Sequence, residues 1–288
     1  MKIIDPHIHL FDLQKGQYTW LISQNAPFWP DKSLISRNFD EQNLNLPAPL
    51  QLCGFVHIEA GFDNSQPWRE IEWLEQTCTL PFKSVACIDL TAPFDKFRSS
   101  LDKLCGFRST IGVRHIFDEK ALEILACDGL EDKFNSLADR DIHFELQMSI
   151  NDTEAVDALM LLLQKVPNTR VVVNHAGFPP YALANECLNW RLWQDNLSKL
   201  ATLPNIYIKC SGFEMTERDY GTPWQRNVVM ACVELFGLHR VMMASNFPLC
   251  LFSTRYQDYW KNCLGLTEPQ NFALMYKNAF DFYRFEQV

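Results

Sequence analysis

The chain begins Met1-Lys-Ile-Ile-Asp-Pro-His-Ile-His9, and this stretch separates two α/β architectures. An open, doubly wound sheet that binds a nucleotide carries a glycine-rich GxGxxG loop after its first strand. Here the first apolar run ends instead in two histidines, His7 and His9, which an extended strand places on the same side. The stretch therefore favours a barrel in which side chains at strand ends converge on one mouth.

Seven more apolar runs follow the first one along the chain. Most are rich in valine and isoleucine and lack strict polar alternation, as expected for strands buried on both faces of a parallel sheet. Longer helix-like segments separate them. We therefore predict a single-domain (β/α)8 TIM barrel over residues 1–288, with strands that end near residues 7, 58, 89, 115, 147, 174, 209 and 244. The runs are Ile3–Ile4, Leu52–Ile58, Ser84–Leu90, Ile111–His115, Ile142–Met148, Arg170–Asn174, Asn205–Lys209 and Arg240–Ala244, and the clearest helical segments are Pro67–Cys78, Thr153–Lys165, Trp190–Leu203, Trp224–Leu235 and a terminal one within Glu268–Val288.

Composition excludes several classes of protein. Hydrophobic residues make up 47% of the 288 residues and charged residues 21%, which is typical of a globular protein and not of a disordered or fibrous one. The formal net charge of -9 repels phosphate backbones, so we expect no nucleic-acid partner. The start has no apolar run behind a basic segment and no stretch is long enough to span a bilayer, so we expect neither a signal peptide nor a membrane partner. The ten cysteines form no CxxC pair, which predicts reduced thiols and a cytoplasmic protein.

One segment interrupts the alternation of strands and helices. Asp12–Pro49 is long, polar and broken by prolines, and it carries the aromatic residues Tyr18, Trp20, Phe28 and Trp29. A long loop after a barrel strand is more often functional than idle, because that end of the barrel carries the active site. The alternative is a surface excursion whose aromatic side chains pack on the outer helices, and the sequence does not decide between the two.

Side chains that can carry chemistry stand where the predicted strands stop. Six of the seven histidines lie in or at the end of a strand, and five of them stand at the C-terminal end, where this kind of barrel builds its pocket. A lone histidine there is usually structural, whereas five on one mouth are hard to obtain by accident. His143 begins its strand and His239 precedes one, so neither is given a role. The candidates are His7, His9, His57, Glu59, Arg114, His115, Gln147, His175, Lys209 and Asn246.

Four short motifs, in order along the chain, resemble signatures of the amidohydrolase superfamily. They are Asp5-Pro-His-Ile-His9, Gly112-Val-Arg-His115, Asn174-His-Ala-Gly177 and Ser245-Asn-Phe-Pro248. The likeness is to the branch of predicted metal-dependent barrel hydrolases (amidohydrolase-related family 2) that includes sugar-lactone hydrolases and the pyrone-dicarboxylate lactonase type. HxH alone is a weak motif, but the ordered set covers nearly the whole chain and is specific.

The resemblance implies an enzyme that hydrolyses a small lactone, either a sugar lactone or a carboxylated ring lactone. His7, His9 and His175 are then expected to be catalytic and to be able to bind one divalent ion, zinc by preference, which would polarise the carbonyl and acidify a water. Without metal, the same histidines, with Arg114 and Lys209, would donate hydrogen bonds to the developing oxyanion.

Two departures from the family pattern bear on the mechanism. No carboxylated lysine is present to bridge two ions, so we expect at most one ion, or a metal-independent enzyme. Asn246 stands where relatives commonly have an aspartate, and an amide cannot accept a proton from water near neutral pH. Glu59, just past strand two, is the nearest candidate for a replacement base, and its alternative role is a solvated loop acid or a helix cap. Asn246 is then expected to orient water or substrate.

Polar and cationic side chains at the neighbouring strand ends are the candidates for substrate binding. They are His57, Arg114, His115, Gln147 and Lys209. Arg114 has an alternative role as the buried partner of Glu145 or Asp5. Lys209, at a strand end followed by Ser-Gly, is a better candidate for binding a substrate anion than for a place in the core.

Two other functions remain open. A nonoxidative decarboxylase of an aromatic or unsaturated acid belongs to the same superfamily, but that branch usually requires a bound metal and the strand-eight aspartate. A catalytically silent small-molecule binding barrel is favoured by Asn246 and disfavoured by the five strand-end histidines. In each case the partner is a small molecule. The sequence leaves the oligomeric state undecided, and a homodimer is one of the states it allows.

Overall fold

Eight parallel strands form one sheet in a computed structural model that describes residues 1–181, 188–263 and 265–286. Each strand pairs with the next one along the chain, and a parallel bridge between Ile8 and Phe247 joins the segment after the last strand to the first strand. The predicted (β/α)8 barrel is confirmed. The strands are β1 (Lys2–Ile8), β2 (Gln51–Ile58), β3 (Phe82–Cys87), β4 (Thr110–Ile116), β5 (His143–Gln147), β6 (Val171–Val173), β7 (Ile206–Cys210) and β8 (Val241–Met243).

The predicted strand ends agree closely with the structure. The largest difference is at β3, which was expected to end near residue 89 and ends at Cys87. Asp89 turns the chain out of the sheet, because its carboxylate accepts hydrogen bonds from the backbone N–H and the hydroxyl of Thr91 at 2.8 and 2.6 Å. Such a local side-chain turn competes with continued strand pairing.

Helices surround the barrel, and their ends carry ordinary sequence signals. Asp152 caps the helix after β5 by accepting a hydrogen bond from the Ala155 N–H, and Gly237 ends the helix after β7 with a positive φ of 77°. The helices are α1 (Trp68–Thr77), α2 (Phe94–Leu104), α3 (Ala121–Leu125), α4 (Leu130–Ala138), α5 (Thr153–Lys165), α6 (Leu188–Ala201), α7 (Phe213–Thr216), α8 (Thr222–Phe236), α9 (Tyr256–Asn262), α10 (Glu268–Phe272) and α11 (Asn278–Phe282). Among the described residues, every helix is too short or too polar to traverse a lipid bilayer.

The C-terminal segment closes the lower end of the barrel. The predicted terminal helix is divided by a π-helical turn at Ala273–Lys277, and its last two residues, 287 and 288, lie outside the described residues. Phe282 and Tyr283 each make an edge-to-face contact with His143 at the start of β5, with centroid distances of 5.0 and 5.3 Å. The opposite end of the barrel, where the strands end, is not covered by this segment and is open to a ligand.

The long segment Asp12–Pro49 folds over that open mouth and is fastened at two points. The buried ammonium of Lys32 donates to three backbone carbonyls of the same segment at 2.7 to 3.2 Å. Asp31 forms an ion pair with Arg218, which lies after α7, at 2.7 Å. The Arg218 guanidinium also lies 4.3 Å from the ring centroid of Phe252 and 5.8 Å from that of Trp29. The segment is therefore part of the folded structure.

Candidate active site

A cavity of about 850 Å³ opens at the C-terminal ends of the strands. This size suits a small organic ligand. Its polar lining comes from widely separated parts of the chain, and the segment Asp12–Pro49 contributes Trp20, Pro27 and Trp29 to its wall. Of the two roles considered for that segment, the one at the mouth agrees with the structure. The polar residues that line the cavity include His9, Glu59, Arg114, Gln147, His175 and Asn246.

Closure of the barrel places Asn246 beside the first strand. The Asn246 N–H donates to the carbonyl of His7 at 3.0 Å, and the His9 N–H donates to the carbonyl of Phe247 at 2.6 Å. The buried carboxyl of Asp5 accepts from both the N–H and the hydroxyl of Ser245, at 3.1 and 2.5 Å. The two ends of the sheet are thus fixed to each other at the site.

Three of the five strand-end histidines come together. The ring centroid of His7 lies 5.1 Å from that of His9 and 4.7 Å from that of His175. Burial lowers the pKa of each ring well below its ordinary value, and neighbouring cationic groups add to this effect. All three imidazoles are therefore neutral near pH 7.

The hydrogen bonds of these rings determine which nitrogens are left for a ligand. His9 Nδ1 lies 2.8 Å from the carbonyl oxygen of Ile58, which can only accept, so Nδ1 carries the proton and Nε2 carries the lone pair. His175 Nδ1 contacts the Ser211 hydroxyl at 3.0 Å. Both ring nitrogens of His7 are buried and have no hydrogen-bond partner among the described residues.

The backbone that carries His175 is strained. His175, Ala176 and Phe178 have positive φ angles of 54°, 49° and 58°, a backbone conformation that residues other than glycine rarely adopt. Gly212 packs against this turn, and a Cβ there would lie 2.4 Å from His175 Nδ1. Strain of this kind collects at functional sites, because the surrounding structure must hold it in place.

The three histidines have the chemistry of a metal site but not the arrangement of one. Neutral imidazoles with one nitrogen held by a hydrogen bond, as in His9 and His175, are typical ligands. Nevertheless, within residues 1–181, 188–263 and 265–286, no three His, Cys, Asp or Glu side chains are placed so that they could hold a metal ion together. The site as folded therefore does not fit a three-ligand metal centre, and we derive no chemical step through a metal.

Glu59 and Arg114 form a buried pair in the wall of the cavity. Arg114 donates to Glu59 Oε1 through Nε at 2.8 Å and contacts it through Nη2 at 2.7 Å, while Nη1 donates to Gln147 Oε1 at 2.9 Å. Glu59 is therefore neither a solvated loop acid nor a helix cap, and Arg114 is paired with Glu59 and not with Glu145 or Asp5. Burial raises the pKa of Glu59 above its ordinary value although Arg114 opposes the shift.

Three predicted substrate-binding residues lie away from the cavity. His57 points to the helical layer, where Nε2 contacts Glu70 of α1 at 2.9 Å and Nδ1 accepts the Leu10 N–H. His115 accepts the Leu90 N–H through Nδ1 at 3.0 Å. The expectation that five histidines converge on one mouth was therefore wrong for these two.

Lys209, expected to bind a substrate anion, is buried inside the barrel. Its ammonium contacts both carboxylate oxygens of Glu145 at 2.7 and 2.8 Å, and Tyr283 donates to the same carboxylate at 2.8 Å. It does not line the cavity, because this ion pair holds it in the layer below. Arg114 and Gln147 are the two predicted substrate-binding residues that reach the cavity wall.

Glu214 is a functional candidate that the sequence did not predict. Glu214, in α7 just beyond β7, is buried next to Asn246 and accepts a hydrogen bond from its Nδ2 at 2.5 Å. Glu214 lies four residues past the end of β7, so it is not among the residues at which the strands stop. The available signal was an acid within the first turn after a strand that ends at the mouth.

Comparison with known proteins agrees with this architecture. The profile of a family described as amidohydrolase matches residues 4–285. The protein y4mH of Sinorhizobium fredii is 27% identical over 99% of both chains, and an L-fucono-1,5-lactonase of Burkholderia ambifaria is 25% identical over 86% of this chain and 84% of its own. A crystal structure of a Burkholderia multivorans amidohydrolase with bound zinc superposes with a TM-score of 0.78 at 19% identity, over 99% of this chain and all of the other.

Proposed function

Because the chain belongs to the amidohydrolase family, we propose that the cavity at the mouth of its barrel hydrolyses a small lactone. The observation that carries the proposal is the buried Glu59–Arg114 pair in the cavity wall, which joins a proton acceptor to a cation at one place. The similarity to an L-fucono-1,5-lactonase supports it. An activated water and a stabilised oxyanion are what hydrolysis of a cyclic ester requires.

The attacking water is held by two acceptors. His9 Nε2 presents a lone pair, since the proton of that ring is committed to the Ile58 carbonyl. Asn246 Oδ1 is a second acceptor in the same wall. A water that shares one hydrogen between these two acceptors keeps its second hydrogen for Glu59 and turns a lone pair toward the lactone carbonyl. Neither group needs to gain a proton for this, so both orient the nucleophile.

Glu59 acts as the general base. Its contacts with Arg114 use Oε1, which leaves Oε2 to take a proton from the attacking water. Burial raises the pKa of this carboxyl and makes it a stronger base than an exposed glutamate. When the ring C–O bond breaks, the same proton passes to the ring oxygen, and the product is a hydroxy acid. Water is consumed and Glu59 is regenerated.

Arg114 stabilises the oxyanion. A guanidinium has five N–H groups, and its bonds to Glu59 and Gln147 leave one on Nη1 for the substrate. As Glu59 becomes neutral by taking the proton, the charge of Arg114 is no longer compensated. Negative charge then appears on the carbonyl oxygen at the same moment, so the total charge of the buried site stays constant.

The charges of the cavity favour a neutral substrate. Among the described lining residues, four are acids, Glu59, Asp118, Glu119 and Asp152, and one, Arg114, is a permanent cation already paired with Glu59. A lactone that carries carboxylates would be repelled. A neutral, hydroxylated sugar lactone would not, and the rings of Trp20 and Trp29 offer apolar surface to one face of such a ring. The anionic product is repelled in turn, which favours its release.

At most one metal ion is proposed, and weakly held. Since the three histidines are not arranged to hold an ion together in the structure, His7, His9 and His175 would be its ligands only after their rings move, and zinc is the ion we expect. The zinc in the Burkholderia multivorans structure motivates the choice of ion. None of the steps above depends on it.

A panel of lactones tests the function. Neutral five- and six-membered sugar lactones and matched lactones with one or two carboxylates are incubated with the protein, and acid release is followed at constant pH. We expect turnover of neutral members and little of the carboxylated ones, with Glu59→Gln as the inactive control. Preference for carboxylated lactones would overturn the substrate class. Absence of any turnover would favour a silent binding barrel.

A further inference from the structure

Glu214 is a buried acid that the proposed reaction does not use directly. It lies in the short helix α7, is 1% exposed, and does not line the cavity. Burial of a carboxyl group costs free energy because the group loses its hydration, so a buried acid is expected to have a role. Its described side-chain contact is with Asn246, and its second oxygen, Oε2, is buried without a partner among the described residues.

The contact with Asn246 fixes which end of the amide faces the cavity. Asn246 Nδ2 lies 2.5 Å from Glu214 Oε1, and a carboxylate can only accept, so the NH₂ end of the amide must face it. Asn246 Oδ1 is then turned the other way. That oxygen is buried and makes no well-formed hydrogen bond among the described residues, and the amide borders the His9 ring.

We propose that Glu214 is a positioning residue, which holds the Asn246 amide with its carbonyl oxygen toward His9. The kinetic consequence of this orientation rests on the proposed hydrolysis, whereas the orientation itself does not. The backbone of Asn246 cannot turn to compensate, because its φ is 59° and its N–H is bound to the His7 carbonyl. The buried acid therefore makes an asparagine present one oxygen to the site, as an aspartate there would.

The orientation matters because it places two acceptors together. With His9 Nδ1–H bound to Ile58, the His9 nitrogen next to Asn246 has a lone pair. Two lone pairs repel unless a donor lies between them, and one hydrogen of a water molecule, shared between the two acceptors, satisfies both and leaves the other hydrogen for Glu59. If the amide turned over, its NH₂ would bind His9 directly and fill that place. The orientation set by Glu214 thus leaves room for the water between His9 and Asn246, whereas the opposite orientation replaces that water with a direct hydrogen bond between the two side chains.

The charge of Glu214 responds to pH near neutrality. Burial raises the pKa of this carboxyl to about 7, against the hydrogen bond from Asn246 and the charge of Arg218. Tyr220, Cys250 and Tyr259 face it from the segment before α8, the turn after β8 and α9, and burial raises their pKa values, so they stay neutral. Once protonated, Glu214 can donate to the amide oxygen, and the preference for one orientation is lost.

The first test does not depend on activity. The full-length protein is labelled with ¹⁵N-asparagine, and the Asn246 side-chain NH₂ signals are assigned by their loss in Asn246→Asp. We expect these signals to shift with a midpoint near pH 7 in the wild type and in the matched control Glu217→Gln, and not in Glu214→Gln. Asn246 NH₂ chemical shifts that change neither with pH nor in Glu214→Gln would overturn the proposal.

The second test measures hydrolysis in exchanged variants. Glu214→Gln should lower kcat by about ten- to a hundredfold with little change in KM, since positioning is lost, and should remove the acid limb near pH 7. Glu214→Gln with Asn246→Asp exchanges the amide and the acid, and should recover turnover relative to Glu214→Gln alone. A double variant no better than the single one would overturn the positioning role in catalysis. If the NH₂ signals behave as expected but no lactone is hydrolysed, the proposed function fails and the orientation stands.

Discussion

Lys209 Nζ lies 2.7 and 2.8 Å from the two carboxylate oxygens of Glu145, and neither side chain reaches solvent. Burial by itself would raise the pKa of Glu145, but the Lys209 charge and the hydrogen bond that His143 donates lower it to about 2. Burial also lowers the pKa of Lys209, to about 8, so both groups are charged at pH 7. The pair fills the barrel below the histidines.

This pair predicts that Lys209 is needed for stability. Lys209→Met keeps the length of the side chain but leaves the Glu145 charge buried alone, which typically costs about 3–5 kcal/mol. Urea unfolding at pH 7 measures the loss. Lys209→Met with Glu145→Gln should recover part of it, because no uncompensated charge remains. An unchanged free energy of unfolding together with a raised KM would restore Lys209 as a substrate-binding residue.

Glu59→Gln should be the most damaging single substitution in the cavity. It removes the proposed proton acceptor and keeps the shape, so kcat should fall by about 10² to 10⁴-fold. The pH–rate profile of the variant on the best neutral lactone is the measurement, and Asp118→Asn on the same wall is the control, which should keep most of the activity. Full activity in Glu59→Gln would transfer the base role to His9.

Asn246 should orient water without transferring a proton. Asn246→Ala is expected to lower turnover by only about tenfold, since positioning is lost while the base remains. Asn246→Asp places a carboxylate beside Glu214, and two acids 2.5 Å apart cannot both ionise near neutral pH. Any gain in activity should therefore appear only at higher pH. Complete loss of turnover in a folded Asn246→Ala protein would contradict an orienting role.

Metal content should be low. Elemental analysis of the purified protein is expected to find at most one ion per chain, and a chelator should remove it readily, because the three histidines lack a carboxylate partner at position 246. His9→Asn should then abolish the residual zinc binding. Two ions that resist the chelator would show that the histidines rearrange to bind metal.

Glu214 should make stability depend on pH. Its pKa is about 7 in the folded protein and 4.5 in the absence of structure, so between these values the folded state binds more protons and stability falls as pH rises. Glu214→Gln lacks this loss and should be more stable than the wild type by up to about 3 kcal/mol at pH 8, with no difference near pH 4. Thermal unfolding across this range checks it, and parallel curves for both proteins would contradict the shift.

The fold was predictable because its signal is repeated. Eight apolar runs separated by amphipathic segments allow few other arrangements, and ends such as Ile58 and Gln147 fall where the runs stop. The boundary at β3 was less predictable, because Asp89 leaves the sheet through a local hydrogen bond within a run that is still apolar.

The site was only half predictable, because strand direction alone does not say which face a residue occupies. In a parallel strand both faces are buried and apolar, so the side of His57 or His115 cannot be read from alternation. Both turned out to lie on the face that packs against neighbouring loops and helices. Lys209 was misplaced for a different reason, since its partner Glu145 lies 64 residues away along the chain.

Arg218 joins the segment over the mouth to the acid behind the cavity. It pairs with Asp31, lies against Phe252, and donates to the backbone carbonyl of Glu214. The segment Asp12–Pro49, which contributes to the wall of the substrate cavity, therefore cannot be exchanged independently of the rest of the site. A corresponding segment grafted from another barrel would need an acid at the position of Asp31 to pair with Arg218. Without that acid, Arg218 would be less well held against the helix that carries Glu214. Under directed evolution for a new substrate, selectivity and turnover in this enzyme should change together.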